Sequence, residues 1–318
     1  MVSTRALIES SLLTAIAVVL ILISIYVPIF YFIGLFMWPL PLALVQIKHG
    51  YKYSLLSLVA TTIIVFIFTD PYTALGFAIT NGVLGIVLGT MIKMKERAIN
   101  TIFIMIIVNV ISVAISIKLF GLIAGQDYIK LALDEFYKSI DMAKSFYEKM
   151  GVQREVYENI FKAMPPKEML LMLIPFALFI HGFISAIITY VLAKGIYSRF
   201  GIKLEEIPKF SNWYVPVKLA FSVIILVLIA YILAYLKVKN ADAYLLNAMY
   251  LMFLTFSING LAALSFWLNK QNLPKAFRIL ILLFVFFSLG NLLFLVGIVD
   301  YSLNLRKLDK TRIKDSPK

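Results

Sequence analysis

Apolar stretches long enough to cross a bilayer recur from one end of this chain to the other. The first runs from Leu7 to Phe32, and "LLMLIPFALFIHGFISAIITYVLAK", residues 170–194, is another. A helix rises 1.5 Å per residue, so about 20 apolar residues span the roughly 30 Å hydrocarbon core. Hydrocarbon supplies no hydrogen-bond partner for the backbone, so such stretches must satisfy their own N–H and C=O groups as helices. Composition agrees: 62% of the 318 residues are hydrophobic and 15% are charged, against about 45–50% and about 25% in soluble domains. The expected fold is an all-α polytopic membrane protein.

Hydropathy marks about nine crossings. They fall at 7–27, 34–47, 52–69, 73–92, 100–123, 168–194, 214–236, 242–268 and 275–298. The expected organisation is a six-helix membrane domain over 1–195, a basic loop over 196–213, transmembrane helices over 214–300 and a basic tail over 301–318. Between the fifth and sixth crossings lies a polar insertion, 126–166. In it Ile129, Leu133, Phe136, Ile140, Ala143, Phe146 and Met150 recur at helical spacing, which predicts an amphipathic helix ended by Gly151. A second short helix follows near Arg154 to Ala163. The pair reads as an outer hairpin resting on the bilayer or the helix ends, or as a lid over an outward-facing cavity.

The formal net charge is +13. Its basic residues crowd short loops beside the apolar runs, where Lys and Arg set orientation and meet anionic head groups; a nucleic-acid partner is not expected. Arg5, Lys48, Lys52, Lys93, Lys95, Arg97, Lys194, Arg199, Lys203, Lys209, Lys270, Lys275 and Arg278 all fall on one side, which is expected to be cytoplasmic and to hold the N-terminus. Lys237, Lys239 and the basic tail fall on the other side if all nine stretches cross. The chain has no cysteine, so disulfides and thiolate metal sites are excluded. HExxH, P-loop, GxSxG and CxxC patterns are absent. The chain is therefore not expected to be an enzyme or to hold a cofactor, and any uphill transport would need ion coupling or an ATP-hydrolysing partner.

Polar groups within apolar runs need a reason to be there. His181 lies near the centre of the sixth run, Asn81 in the fourth, and Asn109, Ser112 and Ser116 form one stripe on the fifth. Asp70 and Lys118 lie near outer ends. As a solute site, Asp70 and Lys118 would orient a charged solute, Asn81 and Asn109 would hydrogen-bond it, and His181 would close the base. As a purely structural set, the same side chains would bridge helices, the reading preferred for Asn247, Asn259 and Asn291. Pro175 is expected to kink the outer half of its helix. His49 reads as a lipid-facing or loop residue, and Glu9 has Arg5 as an i,i+4 partner. "TNGVLGIVLGT" sets Gly82, Gly85 and Gly89 along one side for close helix packing. Ser11 and Ala15 make a small-residue face on the first helix.

Two resemblances follow from these motifs. "TRALIESSLLTAIAVVLILISIYVPI", "WPLPLALVQIKHGYKYSLLSLVATTIIVFIF" and the closing "GIVDYSLNLRKL" resemble the YybS-like family of bacterial membrane proteins. The proline-led short helix before "KHGYK" and the glycine-bearing "NGVLGIVLGTMIK" resemble the substrate-binding S subunits of energy-coupling-factor vitamin transporters. That second resemblance covers residues 7–194. It implies an outer binding cavity and docking onto a membrane partner subunit through the Ser11–Ala15 face. The alternative is a non-transporting membrane protein that binds partner proteins in envelope assembly or signalling, suggested by the insertion and the three extra crossings.

Overall fold

The computed structural model describes residues 4–162 and 164–309. It divides into two compact units, Met1–Glu206 and Ile207–Lys318, with the division inside the basic loop.

In the first unit, α1 (Thr4–Tyr26) turns its Ser10, Thr14, Ala17, Val18 and Ile21 edge inward. Ser11 and Ala15, one residue on, are exposed. A turn leads to α2 (Tyr31–Met37), and after Trp38 to α3 (Pro39–His49). Pro39 and Pro41 fit here because the first helical turn has no intrahelical partner for an N–H. Every side chain from Pro39 to Gln46 is buried. Gly50, at φ +85°, lets the chain reverse into α4 (Tyr51–Phe68). Gln46 ties the hairpin together: its oxygen accepts from Ser54 Oγ at 2.6 Å and its nitrogen donates to Thr90 Oγ1 at 2.9 Å.

The fourth run forms one span of three parts. These are α5 (Pro71–Phe77), a π-helical turn at Ala78–Gly82, and α6 (Val83–Lys93). The glycine side of α6 lies on α3. A Cβ on Gly85 would meet the Pro39 carbonyl oxygen, and one on Gly89 would come 2.5 Å from that of Ala43. Gly82 packs under Leu58 and Trp38. The three glycines therefore serve packing within the unit.

Helix α7 (Ala98–Ala124) follows, its first N–H capped by Glu205 Oε2 at 2.6 Å. The insertion forms α8 (Tyr128–Lys149) and α9 (Arg154–Lys162), with Gly151 at φ +72° between them. Tyr147 stacks on Tyr157 across this hairpin, and Phe161 meets both rings at an angle. Of the predicted apolar face only Ile140 is buried, while Phe136, Phe146 and Met150 stay exposed. Tyr137 Oη donates to the Pro165 carbonyl at 2.7 Å, and Lys167 pairs with Asp134, tying α8 to the start of α10 (Lys167–Met172). Helix α11 (Ile174–Tyr197) begins with Pro175 in its first turn. Pro175 therefore starts a helix rather than kinking one, and the sixth run is broken at Leu173. His49 is a partner of Glu9, with Nε2 to Oε2 at 3.1 Å, in place of the loop role expected for it; Arg5 holds the other Glu9 oxygen at 3.0 Å.

In the second unit, α12 (Val217–Tyr235) and α13 (Ala241–Leu268) form a tight antiparallel hairpin. Helices α14 (Lys275–Ser288) and α15 (Gly290–Leu303) complete it. Seven helices among the described residues are long and apolar enough to cross a membrane: Thr4–Tyr26, Tyr51–Phe68, Pro71–Lys93, Ala98–Ala124, Ile174–Phe200, Val217–Tyr235 and Ala241–Leu268. The stretch read as the ninth crossing is not straight, because α14 and α15 meet at 105°.

Candidate functional site

Each unit contains a polar centre. In the first, α7 and α11 approach because Gly182 carries no side chain: a Cβ there would sit 3.1 Å from the Ile106 carbonyl oxygen. This closeness brings Asn109 Oδ1 within 2.9 Å of His181 Nδ1. With the oxygen facing the ring, Nδ1 carries the proton and donates. Asn109 is 0% exposed, and its Nδ2 has no partner among the described residues. Turning the amide over exchanges which of its two polar atoms is left over but does not remove the deficit. An unmade hydrogen bond on a buried donor costs about 1–3 kcal/mol. Ser112 and Ser116, the rest of the stripe, are buried with it. On α11, Ser185, Ala186 and Thr189 are also buried, and Thr189 Oγ1 is likewise unpartnered among the described residues.

The other three residues of the expected solute site are placed differently. Asn81 is buried in the π-helical turn, which packs against α7. Lys118 is exposed, nine residues along α7 from Asn109, a displacement of about 13 Å. Asp70 caps α5, accepting from Thr73 N at 3.0 Å and from Thr73 Oγ1 at 2.5 Å. The Thr73 hydroxyl and amide hold this exposed carboxyl below its ordinary value. The structure thus joins Asn109 to His181 and gives Asp70 a task at a helix end. Asp70→Ala is expected to cost about 1 kcal/mol of stability, as for other N-caps. Because the folded value is depressed, the contribution is present at neutral pH and fades as pH falls through the ordinary carboxylate range and below. Thermal unfolding of both proteins at pH 7 and pH 3 checks this: the difference in midpoint should be smaller at pH 3.

The sequence points to the second centre only through Asn259, expected to bridge helices, and through the closing "GIVDYSLNLRKL" that holds Asp300 and Arg306. Asp300, on α15, and Arg306, just past it, form an ion pair at 2.9 Å with side chains 5% and 1% exposed. Arg306 Nε donates to both Asp300 oxygens at 3.1 Å, NH1 to the Ser211 carbonyl at 2.8 Å and NH2 to Asn259 Oδ1 at 3.0 Å. Asn259 Oδ1 also accepts from Val215 N at 3.2 Å, while its Nδ2 donates to the Gly297 carbonyl at 2.9 Å and to Asp300 at 3.1 Å. The guanidinium therefore stitches the segment before α12 to α13 and α15. Beside it a small recess, lined by Tyr214, Tyr301, Asn304 and Asp309, has room for about one water molecule. Asn259 bridges helices, as expected; Asn247 donates to the Ala243 carbonyl of its own helix at 2.7 Å.

Apolar spans carrying a few interior polar groups that bond between helices define a multi-pass α-helical membrane protein. Over residues 15–301 the chain matches the family described as "Predicted membrane protein (DUF2232)", and it belongs to that family. It is similar to the "Uncharacterized protein YybS" of Bacillus subtilis (strain 168), with 27% identity over 315 residues, covering 96% of this chain and 99% of that protein. No solved structure matches the chain.

Proposed function

We propose that the Met1–Glu206 unit is a solute-binding, transport-related subunit of the bacterial plasma membrane, centred on Asn109 and His181 and lacking catalysis of its own. The observation that carries this reading is the fully buried Asn109 amide with one polar atom unpaired beside an imidazole. A buried polar group left unsatisfied in a native structure calls for an absent partner, and here a solute's hydrogen-bonding group would supply it. The resemblance of residues 7–194 to S subunits supports the same role. Ser11 and Ala15 are exposed on α1, free to take a small-residue contact with a partner membrane subunit. The basic loops favour a cytoplasmic N-terminus.

The test is native mass spectrometry of the protein in lipid nanodiscs. A small molecule is expected at one copy per chain. Asn109→Ala should weaken its binding about tenfold, the equivalent of about 1.4 kcal/mol. If no solute accompanies the wild type, and Asn109→Ala and His181→Ala only lower the unfolding temperature, the pair is a helix bridge and the proposal is wrong. A second reading, a membrane protein that binds partner proteins, is favoured by the uncovered Phe136, Phe146 and Met150 on the α8–α9 hairpin. Protein co-purifying in place of solute would support it.

A further inference from the structure

The last hydrophobic stretch has both of its ends at one end of the α12–α13 hairpin. Val215 N bonds Asn259 Oδ1, so the start of α12 lies beside the last third of α13. The turn at 236–240 is at the opposite end. Arg278, in the first turn of α14, donates to Asn269 Oδ1 at 2.5 Å, just after α13 ends. Arg306, just after α15 ends, donates to Ser211 before α12 begins. Entry and exit of the α14–α15 pair are therefore on the same side.

The tip of the pair is set by glycines. Gly290 opens α15 with its Cα facing the Phe253 ring, 3.6 Å from where a Cβ would be. Phe253 lies six residues before Asn259, about 9 Å along α13. From there α15 runs alongside α13, with Gly297 against Gly260 and Phe294 stacked on Phe253 at 5.3 Å. Helix α14 has no buried residue. Its Phe284 and Phe287 are exposed, the latter at 80%, and its sequence "KAFRILILLFVFFS" is apolar after Arg278. A helix with this composition and so little protein cover is stable only in hydrocarbon or at its boundary.

We infer that α14–α15 is a re-entrant element: α14 buries its uncovered face in the phospholipid leaflet next to the entry side, and α15 returns to that side without crossing. The unit then crosses the membrane with α12 and α13 alone. Charge fits this placement. Lys209, Lys218, Lys270, Lys275, Arg278 and Lys307 gather at the entry side, where they meet anionic head groups, and among the described residues of this unit only Lys237 and Lys239 remain opposite. A straight ninth crossing would instead put Lys307 with Lys237 and Lys239.

The natural absence of cysteine allows a direct test on the full chain in membrane vesicles of both orientations, using a membrane-impermeant maleimide. Single variants Asn272→Cys, Lys307→Cys and Lys239→Cys report the 269–274 loop, the exit of α15 and the α12–α13 turn. Lys307 sits at φ +53°, so exposed Leu305→Cys serves as a second exit probe. The expected result is labelling of positions 272, 305 and 307 from one face and of 239 from the other. Labelling of 305 or 307 together with 239 overturns the inference.

Discussion

Arg306→Ala is expected to destabilise the Ile207–Lys318 unit by about 3–5 kcal/mol, the usual loss when one member of a buried ion pair is removed. The magnitude follows from what would be left behind. Among the described residues, Asp300 would keep a buried charge with only the Asn259 amide bonded to it, and the Ser211 carbonyl would lose its donor. Stability does not have to come from charge, however. The paired replacement of Asp300→Leu with Arg306→Met removes both ions at once, so it should lose less than Arg306→Ala alone. Thermal unfolding in nanodiscs, read by near-ultraviolet circular dichroism, compares the three. A loss within about 0.5 kcal/mol for Arg306→Ala, the range of ordinary surface changes, would mean that water reaches this pair freely and that the latch does little.

Gly297→Ala should lower stability by about 3 kcal/mol, the upper part of the overpacking range. A methyl at 297 would run into the Phe256 carbonyl oxygen, and one at Gly260 into that of Leu293. Both obstacles are main-chain atoms, so no side-chain rotation relieves them, and α13 and α15 would have to separate along the seam that Asn259 bonds across. Gly195→Ala is the control. Nothing lies within 4 Å of the Cβ it would add, and a helical Gly→Ala change there should be neutral or stabilising by up to about 1 kcal/mol. Equal midpoints for Gly297→Ala and Gly195→Ala would show that the two helices are not in close contact.

Much of this architecture is legible in the sequence because hydrocarbon is a severe filter. Runs that must hide every backbone dipole announce themselves, and the helices at 4–26, 51–68, 71–93, 98–124, 217–235 and 241–268 lie within a few residues of the hydropathy reading. The same filter is blind to direction. Both α14 and α15 are apolar, so hydropathy runs on through Leu289, and the bend is decided by Gly290, Gly260 and Gly297, whose significance lies in neighbours far along the chain. Periodicity found the Asn109 stripe, but not that Asn109 would meet His181, 72 residues away. The role of Asp300, which lies in the quoted closing stretch, is hidden for a different reason. A carboxylate at the edge of an apolar run resembles a solvated end until a guanidinium is folded back onto it.

The π-helical turn at Ala78–Gly82 has a consequence of its own. It inserts extra residue length into an otherwise α-helical rod, so the part of the span before it and the part after it are out of phase. Residues Pro71–Phe77 can therefore address one set of neighbours, with Gly76 beneath Phe120, while Gly85 and Gly89 address α3. A regular helix would have locked these two faces to a single rotational setting of about 100° per residue. The widened turn works as a phase joint, letting the two ends of one rod be fitted independently.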